Sequence, residues 1–119
     1  MRYRESEEMY LETILVLKKR LSSVRSVDVA MELNYSRPSV SRAVNLLQNK
    51  NYITIAKSGE INFTDQGLNR AMSIQERHSV ITKVFVSLGA NVDVAEENAC
   101  RVEHVITDEL MQVLKNYIK

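Results

Sequence analysis

The residues best suited to chemistry are a cysteine, a glutamate and a histidine near the end of the chain. Cys100, Glu103 and His104 are spaced i, i+3 and i+4, so on a helix their side chains project from one face. Thiolate, carboxylate and imidazole are all ligands of first-row transition metals. Their combination in one short segment therefore predicts a metal site.

A coordination sphere needs ligands from several directions, and one helix supplies only one direction. Met9 and Glu12, spaced i and i+3 near the start of the chain, and the isolated His78 are the candidates for the other positions. Thioether and thiolate are soft ligands, which favours Fe(II) over Mn(II), with Co(II), Ni(II) or Zn(II) as substitutes. We expect such a metal to link the first and fifth helices.

Each ligand also has a purely structural interpretation. Met9 and Cys100 belong to residue types that commonly pack in a core, and a lone histidine is usually hydrogen-bonded or at the surface. Glu12 could continue the solvated face that begins at Glu8. What favours coordination is the presence of three different ligand types on one face.

Composition limits the class of protein that can present these ligands. In 119 residues, 16 basic and 15 acidic side chains nearly cancel, so any contact with DNA must be local. A single cysteine excludes an intramolecular disulfide framework and favours a cytoplasmic location. Because the first residues are charged and no apolar stretch approaches the length of a bilayer, we expect no signal peptide and no membrane segment.

Apolar periodicity predicts the elements that must position the ligands. Three helices come first, and a run of strand-forming residues, a turn at residues 57–60 and a returning strand follow them. Three further helices complete the chain. The first helix is capped by Ser6 and ends near Arg20, the second is capped by Ser26, and the third has Pro38 in its first turn. The strands span residues 52–55 and 61–64. The fourth helix is capped by Thr64 and Asp65 and runs toward Gly89, the fifth begins at Asn91, and the sixth spans residues 110–118.

Two helices joined by a short turn, followed by a hairpin, are typical of a winged helix-turn-helix. The start of the third helix would then face base edges in the major groove, and the wing would touch phosphates. The alternative is an exposed helix N-terminus with solubilising charges. The predicted DNA-binding residues are Arg37, Pro38, Ser39, Ser41 and Arg42, with Lys57 at the tip of the wing.

The last two helices are too short to enclose a core alone, and a second copy related by two-fold symmetry would cover their apolar faces. The sequence therefore predicts a mainly α protein with two domains. Residues 1–72 form a winged-helix DNA-binding domain with a two-stranded wing. Residues 73–119 form a helical dimerisation and metal-binding domain.

Four motifs give the chain a resemblance to the diphtheria toxin repressor family of iron- and manganese-dependent regulators, which includes the manganese transport regulator. They are Glu-Met-Tyr-Leu at 8–11, Arg-Pro-Ser-Val-Ser at 37–41, His78, and Ala-Cys-Arg-Val-Glu-His-Val at 99–105. The resemblance implies a winged-helix domain, a dimerisation domain and metal sites. It also implies repression of metal-homeostasis genes through a palindromic, double-stranded operator bound by a homodimer.

By this resemblance the sequence combines two kinds of ligand set. The matches to the iron-type site are Met9, Cys100, Glu103 and His104, whereas Glu12 and His78 match ligands of the manganese transport regulator. Thr82 stands where iron-type members have an ancillary carboxylate, and Glu96 where they have a histidine. Glu12, Glu96 or Glu97 could instead complete a second centre with His78. The chain ends at Lys119, so we expect it to lack the additional C-terminal domain of the longer members.

Two rival functions predict different behaviour. A metal-independent winged-helix regulator would use Cys100 and His104 only for packing and would take up no stoichiometric metal. A small metalloenzyme with Glu103 as base would need an open coordination position beside a substrate pocket. Because the sequence offers neither a glycine-rich loop nor a paired nucleophile and base, we expect a regulator and not an enzyme.

Overall fold

Six helices and a two-stranded sheet make up residues 7–119, the part of the chain described by the computed structural model. The mainly α winged-helix architecture predicted from the sequence is confirmed. The predicted N-cap Ser6 lies outside the described residues. In chain order the elements are α1 (Glu7–Arg20), α2 (Ser26–Leu33), α3 (Arg37–Asn49), β1 (Ile53–Ile55), β2 (Ile61–Phe63), α4 (Asp65–Ser87), α5 (Val92–Val102) and α6 (Asp108–Tyr117).

The chain divides into two compact units, with the boundary between Met72 and Ser73 inside α4. In the first unit, α1, α2 and α3 pack around a core that the wing closes. This core is built from aliphatic residues on the inward faces of the three helices and of both strands. Its largest fully buried side chains are Leu11, Ile14, Val24, Val29, Val40, Val44, Leu47, Ile53 and Ile61.

Local signals explain the turn between α2 and α3. Asn34 adopts the left-handed conformation at φ 57°, which asparagine tolerates well, and ends α2. Ser36 then caps α3, because its hydroxyl accepts a hydrogen bond from the Ser39 N–H at 3.3 Å. Pro38 occupies the first turn of α3, where its missing N–H costs nothing. The predicted helix-turn-helix is therefore confirmed.

The start of α2 differs from the prediction by one residue. Ser26 is the first helical residue, and Arg25 takes the capping position. The Arg25 carbonyl accepts a hydrogen bond from the Asp28 N–H at 2.9 Å, and the Arg25 N–H donates to the Asp28 carboxylate at 2.8 Å. This reciprocal pair replaces the serine cap, because it satisfies the N-terminal groups of α2 without a hydroxyl.

The wing is a short antiparallel hairpin in which Ile53 faces Phe63 and Ile55 faces Ile61. Ile53 and Ile61 point into the core, whereas Thr54 and Asn62, the next residue on each strand, are exposed, as the alternation of a half-buried strand requires. Gly59 has φ +92° in the connecting turn, a conformation that favours glycine.

The junction between the wing and α4 is closely packed around Gly67. The Thr64 hydroxyl accepts a hydrogen bond from the Gly67 N–H at 3.0 Å and so caps α4. A Cβ atom at Gly67 would lie 1.8 Å from the Tyr52 carbonyl oxygen, so only glycine fits there.

The second unit consists of the C-terminal part of α4 with α5 and α6. Its core is small, with Val80, Ile81, Ala99 and Met111 buried at the centre. Several large apolar side chains of this unit remain exposed in the single chain. They are Leu88, Val92, Val94, Val105, Leu110, Val113 and Tyr117. Among the helices described, none is long and apolar enough to cross a bilayer.

Candidate metal centre and nucleic-acid interface

A fully buried carboxylate lies at the centre of the second unit's polar cluster. Glu103 is 0% exposed, and its Oε2 lies 3.0 Å from Nδ1 of His78. Its Oε1 lies 3.3 Å from Nε2 of His104. The structure thus brings together three of the residues predicted as metal ligands, with one carboxylate oxygen facing each imidazole.

These three side chains come from α4 and from the segment that directly follows α5. His78 lies on α4, and Glu103 follows the last residue of α5. Glu103 retains helical angles, and its N–H donates to the Ala99 carbonyl at 2.9 Å, so the helical spacing from Cys100 extends to Glu103. Cys100 lies half-buried on α5 one turn earlier.

The sequence placed Cys100, Glu103 and His104 on one helix face, and this prediction was wrong for the last residue. The α-helix ends at Val102, and His104 lies in the turn that follows. The physical reason is the next helix: Thr107 caps α6 by accepting a hydrogen bond from the Leu110 N–H at 3.2 Å. The chain must leave α5 before it reaches that cap.

The donor set fits a divalent cation. A buried carboxylate is costly unless positive charge or hydrogen bonds compensate it. Oε1 of Glu103 is buried and accepts no hydrogen bond from residues 7–119. An anionic oxygen with two imidazoles, and a thiol one turn away, is a suitable set of donors for Fe(II), Mn(II) or Zn(II).

The other two predicted ligands, Met9 and Glu12, lie on α1 in the first unit. Met9 is only 6% exposed and belongs to that unit's core. The Tyr35 hydroxyl donates to the Met9 sulfur across 3.8 Å, and the Tyr35 ring packs edge-on against Tyr10. Within this unit, the Met9 thioether therefore packs against the turn that precedes α3. Glu12 is half-buried.

The residues considered for a second centre are dispersed. Glu96 and Glu97 are exposed on α5, and Glu97 pairs with Arg101 at 3.3 Å, one turn later on the same helix. The Thr82 hydroxyl is buried and makes no hydrogen bond to the described residues. Within the second unit, these positions do not form a cluster with His78.

A separate polar cluster ties α1 to α4 within the first unit. The Arg70 guanidinium contacts Glu7 at 3.2 Å and Glu8 at 3.4 Å, and it donates to the Tyr52 hydroxyl at 2.6 Å. Lys50 pairs with Glu7 as well. Burial lowers the pKa of Arg70, but Tyr52 and Glu8 outweigh it, so that the pKa is raised overall. Arg70 therefore stays charged and anchors the beginning of α1.

The candidate nucleic-acid interface is the exposed start of α3. Arg37, Pro38, Ser41 and Arg42 are all exposed there. Ser39 differs, because its hydroxyl accepts a hydrogen bond from the Ser36 hydroxyl at 2.9 Å and a longer one from Arg42 at 3.4 Å. Ser39 thus belongs to the cap of α3, whereas its neighbours are available to a ligand.

The wing and α2 extend this interface. A groove in the first unit is lined by residues of α3, of the wing and of the start of α2, among them Arg25, Arg37, Ser41 and Gly59. Lys57 is exposed in the turn of the wing. Arg25 was not among the predicted DNA-binding residues; its residue type was the available signal, because arginine side chains commonly contact phosphates.

Comparison with known proteins identifies both units. Residues 3–61 match the family model for the N-terminal DNA-binding domain of iron-dependent repressors. Residues 64–119 match the model for the metal-binding and dimerisation domain of the same family. Together these two matches account for nearly the whole chain.

Individual relatives agree with the family models. The chain is 30% identical over 118 residues to the HTH-type transcriptional regulator MJ0568 of Methanocaldococcus jannaschii, covering 97% of this chain and 94% of that protein. It is 26% identical over 116 residues to the diphtheria toxin repressor of Corynebacterium diphtheriae, covering 97% of this chain and 51% of that protein.

Solved structures share the fold. The structure of the manganese regulator SloR superposes with a TM-score of 0.83 at 24% identity, covering 98% of this chain and 54% of SloR. The chain therefore spans about half the length of the diphtheria toxin repressor and of SloR. The resemblance predicted from the four motifs is confirmed: the chain belongs to the iron-dependent repressor family, whose members are metal-dependent, DNA-binding transcriptional repressors and not enzymes.

Proposed function

We propose that this chain acts as a homodimeric repressor that binds a palindromic operator when Fe(II) is available. The observation that carries the proposal is the fully buried carboxylate of Glu103 between the imidazoles of His78 and His104. A glutamate is almost never fully buried unless its charge is paired, and Oε1 of Glu103 accepts no hydrogen bond from the described residues.

The proposed ligands are of two kinds. His78, Glu103 and His104 are supported by their geometry in the second unit, and Cys100 by its position one turn before Glu103. Met9 and Glu12 are added because they match the family motifs. A bound cation would supply the positive charge that the buried carboxylate needs. The protein's own contribution is to keep the two imidazoles and the carboxylate oriented toward one another.

For DNA recognition we assign direct readout to the start of α3. Arg37 and Arg42 can donate in bidentate fashion to guanine, and Pro38 can touch a thymine methyl group. Ser41 lines the same groove and can contact either bases or phosphates. Lys57 and Arg25 are assigned to phosphates at the edges of that surface.

The second unit carries the exposed apolar surface that we assign to dimerisation. Its small core leaves large apolar side chains such as Val105, Leu110, Val113 and Tyr117 exposed. A second copy related by two-fold symmetry would cover such a face, and it would make the operator palindromic as well. The family model that matches this unit describes a dimerisation domain.

Mn(II) is the second candidate metal, and a specific observation favours it. The three donors that the second unit assembles are nitrogen and oxygen atoms, which suit Mn(II) as well as Fe(II). The soft sulfur of Met9 is engaged by the Tyr35 hydroxyl. The choice between the metals therefore depends on whether Cys100 contributes its thiolate.

The experiment is an anaerobic DNA-binding titration. Duplexes selected from a random-sequence library, with and without metal, are titrated by fluorescence anisotropy in the presence of Fe(II), Mn(II), Zn(II) or a chelator. We expect Fe(II) to strengthen binding by a factor of about 5 to 150, the usual range of coupling between two sites. Equal affinity under all conditions would support the metal-independent regulator instead.

A variant separates the two metals. We expect Cys100→Ala to lose most of the Fe(II) response, because it removes the soft ligand. The matched control is Asn98→Ala, an exposed position on the same helix, which should behave like the wild type. If Cys100→Ala responds fully to Fe(II), the thiolate is not a ligand and the nitrogen and oxygen set that suits Mn(II) is sufficient.

A further inference from the structure

We infer that Arg77 is a positioning residue of the metal centre, holding the backbone of the turn that presents Glu103 and His104. The inference rests on the proposed function, because it assigns a role in a metal site. It assigns this role to a residue that donates no ligand atom. This role was not predictable from the sequence, since an arginine beside a histidine on a helix is ordinary.

The contacts of Arg77 converge on the turn between α5 and α6. One guanidinium nitrogen, Nη1, donates to the Glu103 carbonyl at 3.1 Å. The other, Nη2, donates to the Asp108 carboxylate at 2.7 Å, in the first turn of α6. The Arg77 side chain is only 20% exposed, so these bonds are partly shielded from water.

Arg77 and His78 are consecutive residues of α4, and both contact Glu103, one at its backbone and the other at its side chain. Arg77 binds the backbone carbonyl of Glu103, and His78 contacts its carboxylate. The α-helix has already ended at Val102, so the turn lacks the continuous hydrogen bonds of a helix. A cross-link from α4 at this point fixes where Glu103 and His104 project.

The chemistry requires an arginine. The planar guanidinium offers donors in two directions at once, whereas a lysine ammonium is a single point charge on a flexible stem. The Asp108 side chain is 93% exposed, so its pairing with Arg77 contributes little by itself. The bond to the Glu103 carbonyl is therefore the one that matters for the site.

The structure supplies a matched control on the same two helices. Lys115 of α6 pairs with Glu76 of α4 at 2.8 Å. This pair also joins α4 to α6, but it contacts no residue of the turn that carries Glu103. Replacing Lys115 removes one positive charge and one link between these helices, as replacing Arg77 does, and leaves the turn untouched.

The first measurement is the affinity for Co(II) alone, followed through its absorption bands in the intact chain. We expect Arg77→Met to bind Co(II) about 10- to 100-fold more weakly than the wild type, the usual effect of losing an outer-shell partner. Lys115→Met should stay within about twofold. Arg77→Lys, which keeps the charge, should fall between them if the two-directional donation is what counts.

The second measurement needs no metal. Hydrogen exchange of the amides of residues 103–107 in the chelator-treated protein should be faster in Arg77→Met than in Lys115→Met. A merely structural role for Arg77 would destabilise the whole unit and accelerate exchange throughout α4, α5 and α6 alike. Faster exchange confined to the turn supports positioning, and uniform acceleration overturns it.

The outcomes separate this inference from the proposed function. If the wild type takes up no metal, both fail together. If the wild type binds Co(II) and Arg77→Met binds it equally well, the inference alone is overturned. Should Arg77→Met not fold, Arg77→Lys decides: an affinity equal to that of the wild type overturns the inference, and a weaker one supports it.

Discussion

Replacing Glu103 by glutamine removes one negative charge from a fully buried position and changes little else. Glutamine has nearly the same size and can still contact His78, which lies 3.0 Å from Oε2. Burying a neutral amide is less costly than burying a carboxylate. Without metal, we therefore expect the free energy of unfolding of Glu103→Gln to stay within about 1 kcal/mol of the wild-type value.

With metal present, the free energy of unfolding should rise more for the wild type than for Glu103→Gln. A ligand whose free concentration is 100 times its dissociation constant stabilises the folded state by about 2.7 kcal/mol. Glu103 is proposed as a direct ligand, so its loss should weaken metal binding at least as much as the loss of an outer-shell partner, about 100-fold. At the same metal concentration the variant would then gain only about 0.4 kcal/mol. The expected difference in stabilisation is about 2.3 kcal/mol.

The assay is urea unfolding of both proteins with a chelator and with Mn(II), which is stable in air. Glu97→Gln is the control, because Glu97 is an exposed glutamate on α5 whose contact is a surface pair with Arg101. We expect this control to gain the full stabilisation. If Glu103→Gln gains as much stability from Mn(II) as the wild type does, Glu103 is not a metal ligand.

Four further predictions concern the first unit. Arg37→Ala should weaken binding to a selected duplex by about 1–3 kcal/mol and relax the protein's base preference. Lys57→Ala should make the DNA affinity less dependent on salt, by the equivalent of about one phosphate contact. Both effects are measured in DNA-binding titrations at several salt concentrations. Gly67→Ala should lower the free energy of unfolding by about 3 kcal/mol or more, because its Cβ would overlap the Tyr52 carbonyl, and an unchanged urea midpoint would contradict this packing. Ser36→Ala should lower the same free energy by about 1 kcal/mol through the lost cap of α3, and a Ser36→Gly variant should lose less.

The elements could be predicted from the sequence where the signals are local. Ser36 and Pro38 mark the start of α3, and the turn between the strands includes Gly59, so short-range chemistry specifies the helix-turn-helix and the wing. The end of α5 was missed because no glycine or proline follows Val102. The available signal was Thr107, whose hydroxyl caps α6 and obliges the preceding residues to turn.

The candidate site was predictable in composition but not in arrangement. The spacing of Cys100, Glu103 and His104 identifies the donor types, since spacing is a property of the sequence. The contact between His78 and Glu103 joins residues 25 positions apart, and only tertiary packing creates it. For the same reason, two hydrogen bonds could not be predicted from the sequence. They are the bond from the Tyr35 hydroxyl to the Met9 sulfur and the bond from Arg77 to the Glu103 carbonyl.

The proposed regulation depends on the carboxylate of Glu103, with its two imidazoles, holding the metal. Anomalous diffraction from crystals of the protein grown with Mn(II) tests this most directly, because the signal locates the ion without assumptions about ligands. We expect an anomalous peak at coordination distance from a Glu103 carboxylate oxygen and a His104 nitrogen. A fully occupied peak elsewhere in the chain, with Glu103 and His104 making no bond to it, would show that Glu103 does not hold the metal.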